Sequence, residues 1–263
     1  MTAWLSRRLG DDCVAKLQSL GEQDLYCDDS KWLDLLQNHT EESLVILVAD
    51  LMDDIRLAKI RTYHGCRVLD AGVYHREGLK RNDPSKLKSA VRQMVSTEAE
   101  FAPLRPHLEK RLAVFDAADD HEGTTRDEGR VHVGFDDQEL LDHCGAYALY
   151  GSEWVCALLG PLGHGPLRHR GVPTILQIDL PASWLSAEEI EGVCRDMLQE
   201  WIHHAANRRD WTPWLATSFI LRRDIPPKMV TSHYHPEVIN DPLYRLTPRK
   251  SGAVVCPHCA PNS

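Results

Sequence analysis

The chain has 263 residues, 43% hydrophobic and 26% charged, which is enough length and apolar content for a sizeable core and excludes general disorder. Thirty Lys+Arg against 39 Asp+Glu give a formal charge of -9, which excludes coating of duplex nucleic acid by charge alone and leaves open a nucleic acid held in a local groove. No apolar run approaches the roughly 18 residues of a spanning helix, residues 1–12 lack the apolar stretch of a secretory signal, and eight mostly scattered cysteines do not form a disulfide framework, so the chain is predicted to be cytoplasmic, with reduced thiols and no membrane partner.

Residues 1–57 read as a helical arm. Leu44, Leu47, Val48, Leu51, Met52 and Ile55 repeat at the spacing of one buried helix face, with Thr40 as the expected N-cap. Trp32, Leu33, Leu35 and Leu36 predict a shorter helix before it. A short strand follows at 60–64, after which Gly65 releases the backbone, then a helix over 69–77 stopped by Gly78. Pro84 opens the next helix, whose stripe is Leu87, Val91, Met94 and Val95. Residues 116–130 are acidic and aperiodic and read as a solvated loop. A strand at 131–135, helices at 137–144 and 152–159, and a Gly, Pro and His-rich loop at 160–171 come next.

Residues 173–180 alternate as a strand, with Leu176, Ile178 and Leu180 on one face. Ser186-Ala187-Glu188-Glu189 is a capping box. The helix it opens carries Ile190, Val193, Cys194, Met197, Leu198, Trp201 and Ile202 on one face, with Arg208 and Arg209 near its end. Strands are predicted at 217–221 and 229–234, and an irregular tail at 246–263. Helices followed by short strands at irregular intervals, without regular βαβ alternation, predict an α+β fold of small, mostly antiparallel sheets packed with helices. The predicted division is a helical N-terminal arm (1–57), an α+β domain (58–245) and the tail (246–263).

Two segments carry the chemistry. Tyr63-His64-Gly65-Cys66-Arg67 sets an imidazole and a bare backbone at one strand rim, where the imidazole can bond a ribose hydroxyl and a ligand can approach the glycine closely. Tyr147, Tyr150, Gly151, Ser152 and Glu153 combine phenol faces for stacking with a carboxylate able to stabilise a cationic sugar. The plainer readings are a strand-end histidine with a turn glycine, and core aromatics with a surface acid.

The Tyr63-His64-Gly65 strand end, the helix closing with Glu77-Gly78-Leu79, the tyrosine-rich turn and the strand at 174–180 resemble the ADP-ribosyltransferase superfamily. The likeness is to its branch carrying a His, a Tyr and a Glu, which includes RNA 2′-phosphotransferases and poly(ADP-ribose) polymerases. It spans roughly residues 59–236 as scattered short motifs. The resemblance implies an ADP-ribosyltransferase-like fold for 58–245 and an enzyme that splits NAD at its nicotinamide–ribose bond. ADP-ribose would then pass to a protein or nucleic-acid acceptor, in the manner of a toxin or a phage-defence effector. It implies His64, Tyr150 and Glu153 as catalytic residues, and His64, Gly65, Arg67, Tyr147 and Tyr150 as the residues that bind NAD. Cys66 stands where the family usually has Thr or Ser, Glu237 is a second candidate for the family glutamate, and Arg76 joins Arg67 as a possible partner of pyrophosphate.

Two further patterns bear on metals. His233 and His235 share a strand face, as a polar rim or as two ligands. Cys256-Pro257-His258-Cys259 is half of a zinc knuckle whose other half is missing, so zinc would need distant ligands such as His233, His235 or His258. The preferred reading is a thiol-bearing tail, and no metal ligands are assigned. The alternative to the enzyme is a noncatalytic interaction protein, or a zinc-stabilised binding domain built on Cys256, Cys259 and the His233/His235 pair. Walker, Gly-x-Gly-x-x-Gly and Gly-x-Ser-x-Gly motifs are absent.

Overall fold

The computed structural model describes residues 1–26, 30–120, 128–207, 217–252 and 256–259. Its helices are α1 (Thr2–Leu9), α2 (Asp11–Gln18), α3 (Lys31–His39), α4 (Leu44–Arg56), α5 (Gly72–Glu77), α6 (Pro84–Thr97), α7 (Leu108–Asp120), α8 (Asp137–Asp142), α9 (Ala146–Tyr150), α10 (Glu153–Leu159), α11 (Pro161–His169) and α12 (Ala187–Asn207). Its strands are β1 (Lys59–Val68), β2 (Val131–Gly134), β3 (Val172–Pro181), β4 (Ser218–Leu221), β5 (Val230–Tyr234), β6 (Val238–Asp241) and β7 (Thr247–Lys250). The fold is α+β with small sheets of antiparallel pairs. Among the described residues no helix is long and apolar enough to cross a membrane.

The chain divides into two compact units, Met1–Ile60 with Leu180–Thr217, and Arg61–Asp179 with Ser218–Ser263. The first holds α1 to α4 packed with α12. The arm drawn over 1–57 therefore belongs to a unit that also takes in the long helix after β3. Ser186 and Glu189 form the capping box: Ser186 N donates to Glu189 Oε2 at 2.7 Å and Glu189 N to Ser186 Oγ at 3.2 Å. Ile190, Val193, Cys194, Leu198 and Ile202 are buried on the face read from the sequence. Each buried apolar side chain of this size contributes about 1.5–3 kcal/mol, so packing of that face, more than helix propensity, holds α12. Ser43, not Thr40, caps α4, accepting from Val45 N. Thr40 is the C-cap of α3, because the preceding helix runs longer than its apolar residues indicate. Arg208 and Arg209 lie outside the described residues.

In the second unit five strands pair in the order β4-β2-β1-β3-β5, and β6 and β7 form a separate two-stranded sheet. Leu104, Leu108, Leu112, Leu149, Leu158, Leu159 and Ile175 lie in one buried cluster. Pro84 opens α6, with Asp83 accepting from Ser85 N and Lys86 N. Gly78 ends α5 at φ 76° and ψ -172°, a conformation essentially reserved for glycine. A Cβ there would stand 2.1 Å from the Ile225 carbonyl oxygen. That closeness lets Leu79 and Ile225 exchange two backbone hydrogen bonds, at 2.9 and 2.8 Å. Gly78→Ala is expected to cost at least about 2 kcal/mol, read as a lower urea midpoint at unchanged slope.

The structure departs from the sequence reading in several places. Residues 161–169, read as loop, form α11; Pro161 sits in its first turn, where proline costs nothing. β1 continues through Gly65 to Val68. α7 reaches Asp120, into the segment read as loop, of which 121–127 lie outside the described residues. The tail is not wholly irregular, because β7 pairs with β6 from Val238↔Lys250 to Asp241↔Thr247.

Candidate active site

β1 delivers His64 and Gly65 to an open cleft of about 230 Å³. Leu79, Lys80, Asn82, Arg130, Tyr147 and Glu153 are among its other lining residues. His64 Nδ1 lies 2.8 Å from the His132 main-chain oxygen. A carbonyl only accepts, so Nδ1 carries the proton and Nε2 keeps its lone pair. Burial lowers the His64 pKa, and the hydrogen bond to His132 opposes that shift. The ring is neutral at neutral pH, an acceptor suited to a hydroxyl group.

Tyr147 stands at the start of α9 and Glu153 at the start of α10, separated by the Gly151 turn. Tyr147 OH donates to Glu153 Oε2 at 3.2 Å, which aims the carboxylate. Ser152 caps α10 by accepting from Val155 N, and the helix start favours an anion there. Gly65 packs on this turn: a Cβ would meet Tyr147 Cβ at 3.3 Å and Ala148 N at 3.9 Å. The bare Gly65 thus lets β1 approach the start of α9 closely.

Other predicted residues lie elsewhere. Tyr150 does not line the cleft. It is 3% exposed, and its hydroxyl donates to Asp241 Oδ2 at 2.7 Å, with burial and this carboxylate raising its pKa. Arg67 is not free for pyrophosphate. It donates to the main-chain oxygens of Ala148 at 3.3 Å, Arg170 at 3.1 Å, Gly171 at 2.9 Å and Arg168, and burial takes its pKa down to about 10. It braces the turn that presents Glu153. Cys66 is buried and its thiol is pushed up to about 12 by that burial, so it is not a nucleophile facing a ligand. Arg76 pairs with Asp70 at 3.0 Å, and Glu237 is exposed and does not line the cleft.

Lys80, Asn82 and Arg130 were not anticipated. Asn82 N donates to Arg130 O at 3.0 Å, and Gly129 N donates to Asn82 O at 2.9 Å, and Lys80, Asn82 and Arg130 all line the cleft. Arg130 Nε is buried with no hydrogen-bond partner among the described residues. Lys80 and Arg130 share this lining with a neutral imidazole and one carboxylate, and Lys80 Nζ also lies 3.9 Å from Asp224 Oδ2; such a lining suits an anionic ligand.

His233, His235, Cys256 and Cys259 converge, with all four ligand atoms within 4.8 Å of one another. His233, His75 and His258 form a second such group. Burial and the neighbouring His235, His75 and His258 rings lower the His233 pKa to about 4. No protein-family model, curated protein or solved structure matches the chain.

Proposed function

We propose that the second unit is an ADP-ribosyltransferase-like domain that consumes NAD, passes ADP-ribose to a protein or nucleic-acid acceptor and releases nicotinamide. One observation carries the reading: His64, Gly65, Tyr147 and Glu153, drawn from separate parts of the chain, line one cleft. Its cationic residues support a pyrophosphate-bearing substrate, and Arg130 brings a buried donor that has no protein acceptor among the described residues.

NAD supplies the scissile bond between the nicotinamide nitrogen and ribose C1′. In this reading His64 Nε2 accepts a hydrogen bond from a ribose hydroxyl and fixes the sugar. Of the two candidate tyrosines, Tyr147 offers its ring face to the nicotinamide. Lys80 and Arg130 hold the pyrophosphate. Glu153 opposes the positive charge that develops on the sugar as nicotinamide departs with the bonding electron pair. An acceptor oxygen or nitrogen then bonds to C1′ and gives up its proton. Orientation and charge stabilisation are what these residues contribute, and both act without covalent attachment to the protein.

The test is incubation with NAD labelled in the nicotinamide, in the presence of protein, RNA or DNA acceptors. Release is expected from the wild-type chain, and lower release from His64→Ala and Glu153→Gln. Release that survives both substitutions at the wild-type rate, or no release with any acceptor, overturns the reading.

A further inference from the structure

We propose that His233, His235, Cys256 and Cys259 are the four ligands of a structural zinc ion that fastens the C-terminal Cys-Pro-His-Cys turn to the edge of the five-stranded sheet. The proposal does not depend on NAD.

Tetrahedral zinc bound at about 2.3 Å to sulfur and about 2.0–2.1 Å to nitrogen requires ligand atoms about 3.3–3.8 Å apart. Cys256 Sγ lies 3.8 Å from His233 Nε2 and Cys259 Sγ lies 3.6 Å from His235 Nε2, both within that range, while Cys259 Sγ lies 3.0 Å from His233 Nε2, a pair that must open slightly around an ion. His233 lies in β5 and His235 follows the strand's last residue, Tyr234, and their rings stand with centroids 5.1 Å apart. Among the described residues β5 is an edge strand, paired with β3. The thiols come from a turn in which Cys259 N donates to Cys256 O at 3.1 Å. Cys256 is 3% exposed and packs with Ala71 and Val172.

The surroundings orient both imidazoles for a cation. His235 Nδ1 lies 2.8 Å from the Pro173 carbonyl. It must donate there, and so its Nε2 lone pair points to the thiols. His233 Nδ1 lies 2.8 Å from His75 Nε2, and His75 also bonds the Val230 main chain. A relay in which His233 donates to His75, and His75 donates to the Val230 carbonyl, leaves His233 Nε2 as an acceptor facing Cys256 and Cys259. Two thiolates and two imidazoles select zinc over the harder magnesium and calcium. Four protein ligands leave no open position, which marks a structural ion. His258 stacks on His75 with centroids 4.8 Å apart and planes 9° apart. That makes His75 and His258 a supporting layer, although with His233 they also form a three-histidine set.

Metal analysis of the full chain, purified under reducing conditions without added zinc, reads the site. Close to one zinc per chain is expected, falling about tenfold or more in the Cys256→Ser/Cys259→Ser double variant. His75→Ala should retain zinc but lose it to a chelator at about 10- to 100-fold lower chelator concentration, as orienting partners do. Should the double variant fail to fold, cobalt exchanged into the wild-type chain gives an independent reading. Intense tetrahedral d–d bands with a thiolate charge-transfer band support the site. A metal-free wild-type chain, cobalt without a thiolate band, or zinc that survives the double cysteine variant but is lost from His75→Ala/His258→Ala overturns it.

Discussion

Glu153→Gln is expected to slow nicotinamide release from NAD by about 10²- to 10³-fold, the size of effect seen when one group aimed at developing charge is removed. Glutamine keeps the shape and retains an oxygen that can accept from the Tyr147 hydroxyl, now 3.2 Å from Glu153 Oε2. Only the charge is lost. That charge matters where the sugar is cationic, so kcat and kcat/KM should fall together while KM stays near its wild-type value. Glu153 is exposed, and the substitution should alter stability by no more than about 0.5 kcal/mol. His64→Ala should behave differently, because a hydrogen bond to a ribose hydroxyl acts in the bound substrate as well as in the transition state. A raised KM is its expected signature. A Glu153→Gln chain that turns over NAD as fast as the wild type would remove Glu153 from the chemistry.

The second large effect is on folding. Asp241 is fully buried. It accepts from Tyr150 OH at 2.7 Å, from Arg249 Nε at 3.2 Å and from Leu243 N at 3.2 Å. Asp241→Ala strands the Tyr150 hydroxyl in the core and leaves Arg249 without its carboxylate. The Arg249 side chain is partly exposed and can turn to water, so the expected cost is about 2–4 kcal/mol, toward the lower side of what breaking a buried pair costs. Tyr150→Phe removes one hydroxyl and should cost about 1–2 kcal/mol. Urea unfolding measures both. Tyr150→Phe should also leave KM for NAD unchanged, because Tyr150 does not line the cleft. A raised KM at unchanged stability would return Tyr150 to the ligand.

What could be read from the sequence was local. The Ser186/Glu189 box, Pro84 at a helix start and the alternation of β3 are each set by residues within a few positions of one another, and each is found. His64, Gly65 and Glu153 share a cleft, but the partners that decide Tyr150 and Arg67 were not readable. Tyr147 and Tyr150 are three apart on the single turn of α9, close enough to suggest one shared role. Asp241, 91 residues away, claims Tyr150 for the core. Arg67 looks like a surface cation until main-chain oxygens of Ala148, Arg168, Arg170 and Gly171 surround it. α11 was hidden by composition. Gly163 is required because a Cβ would stand 2.4 Å from Leu159 Cβ, so a glycine that reads as a loop marks close packing. His233/His235 and Cys256/Cys259 each look incomplete alone, and their meeting is a property of the tertiary fold.

The first unit is assembled from two stretches of chain, Met1–Ile60 and Leu180–Thr217. During synthesis α4 is made well before Ala187 opens α12, the helix that packs against it. At ~5–20 residues per second, the interval from Arg56 to Ala187 is on the order of ten seconds. Through that time an apolar helical surface stands uncovered in the nascent polypeptide. A chain cut before α12 is expected to leave that surface exposed rather than to fold as a smaller protein.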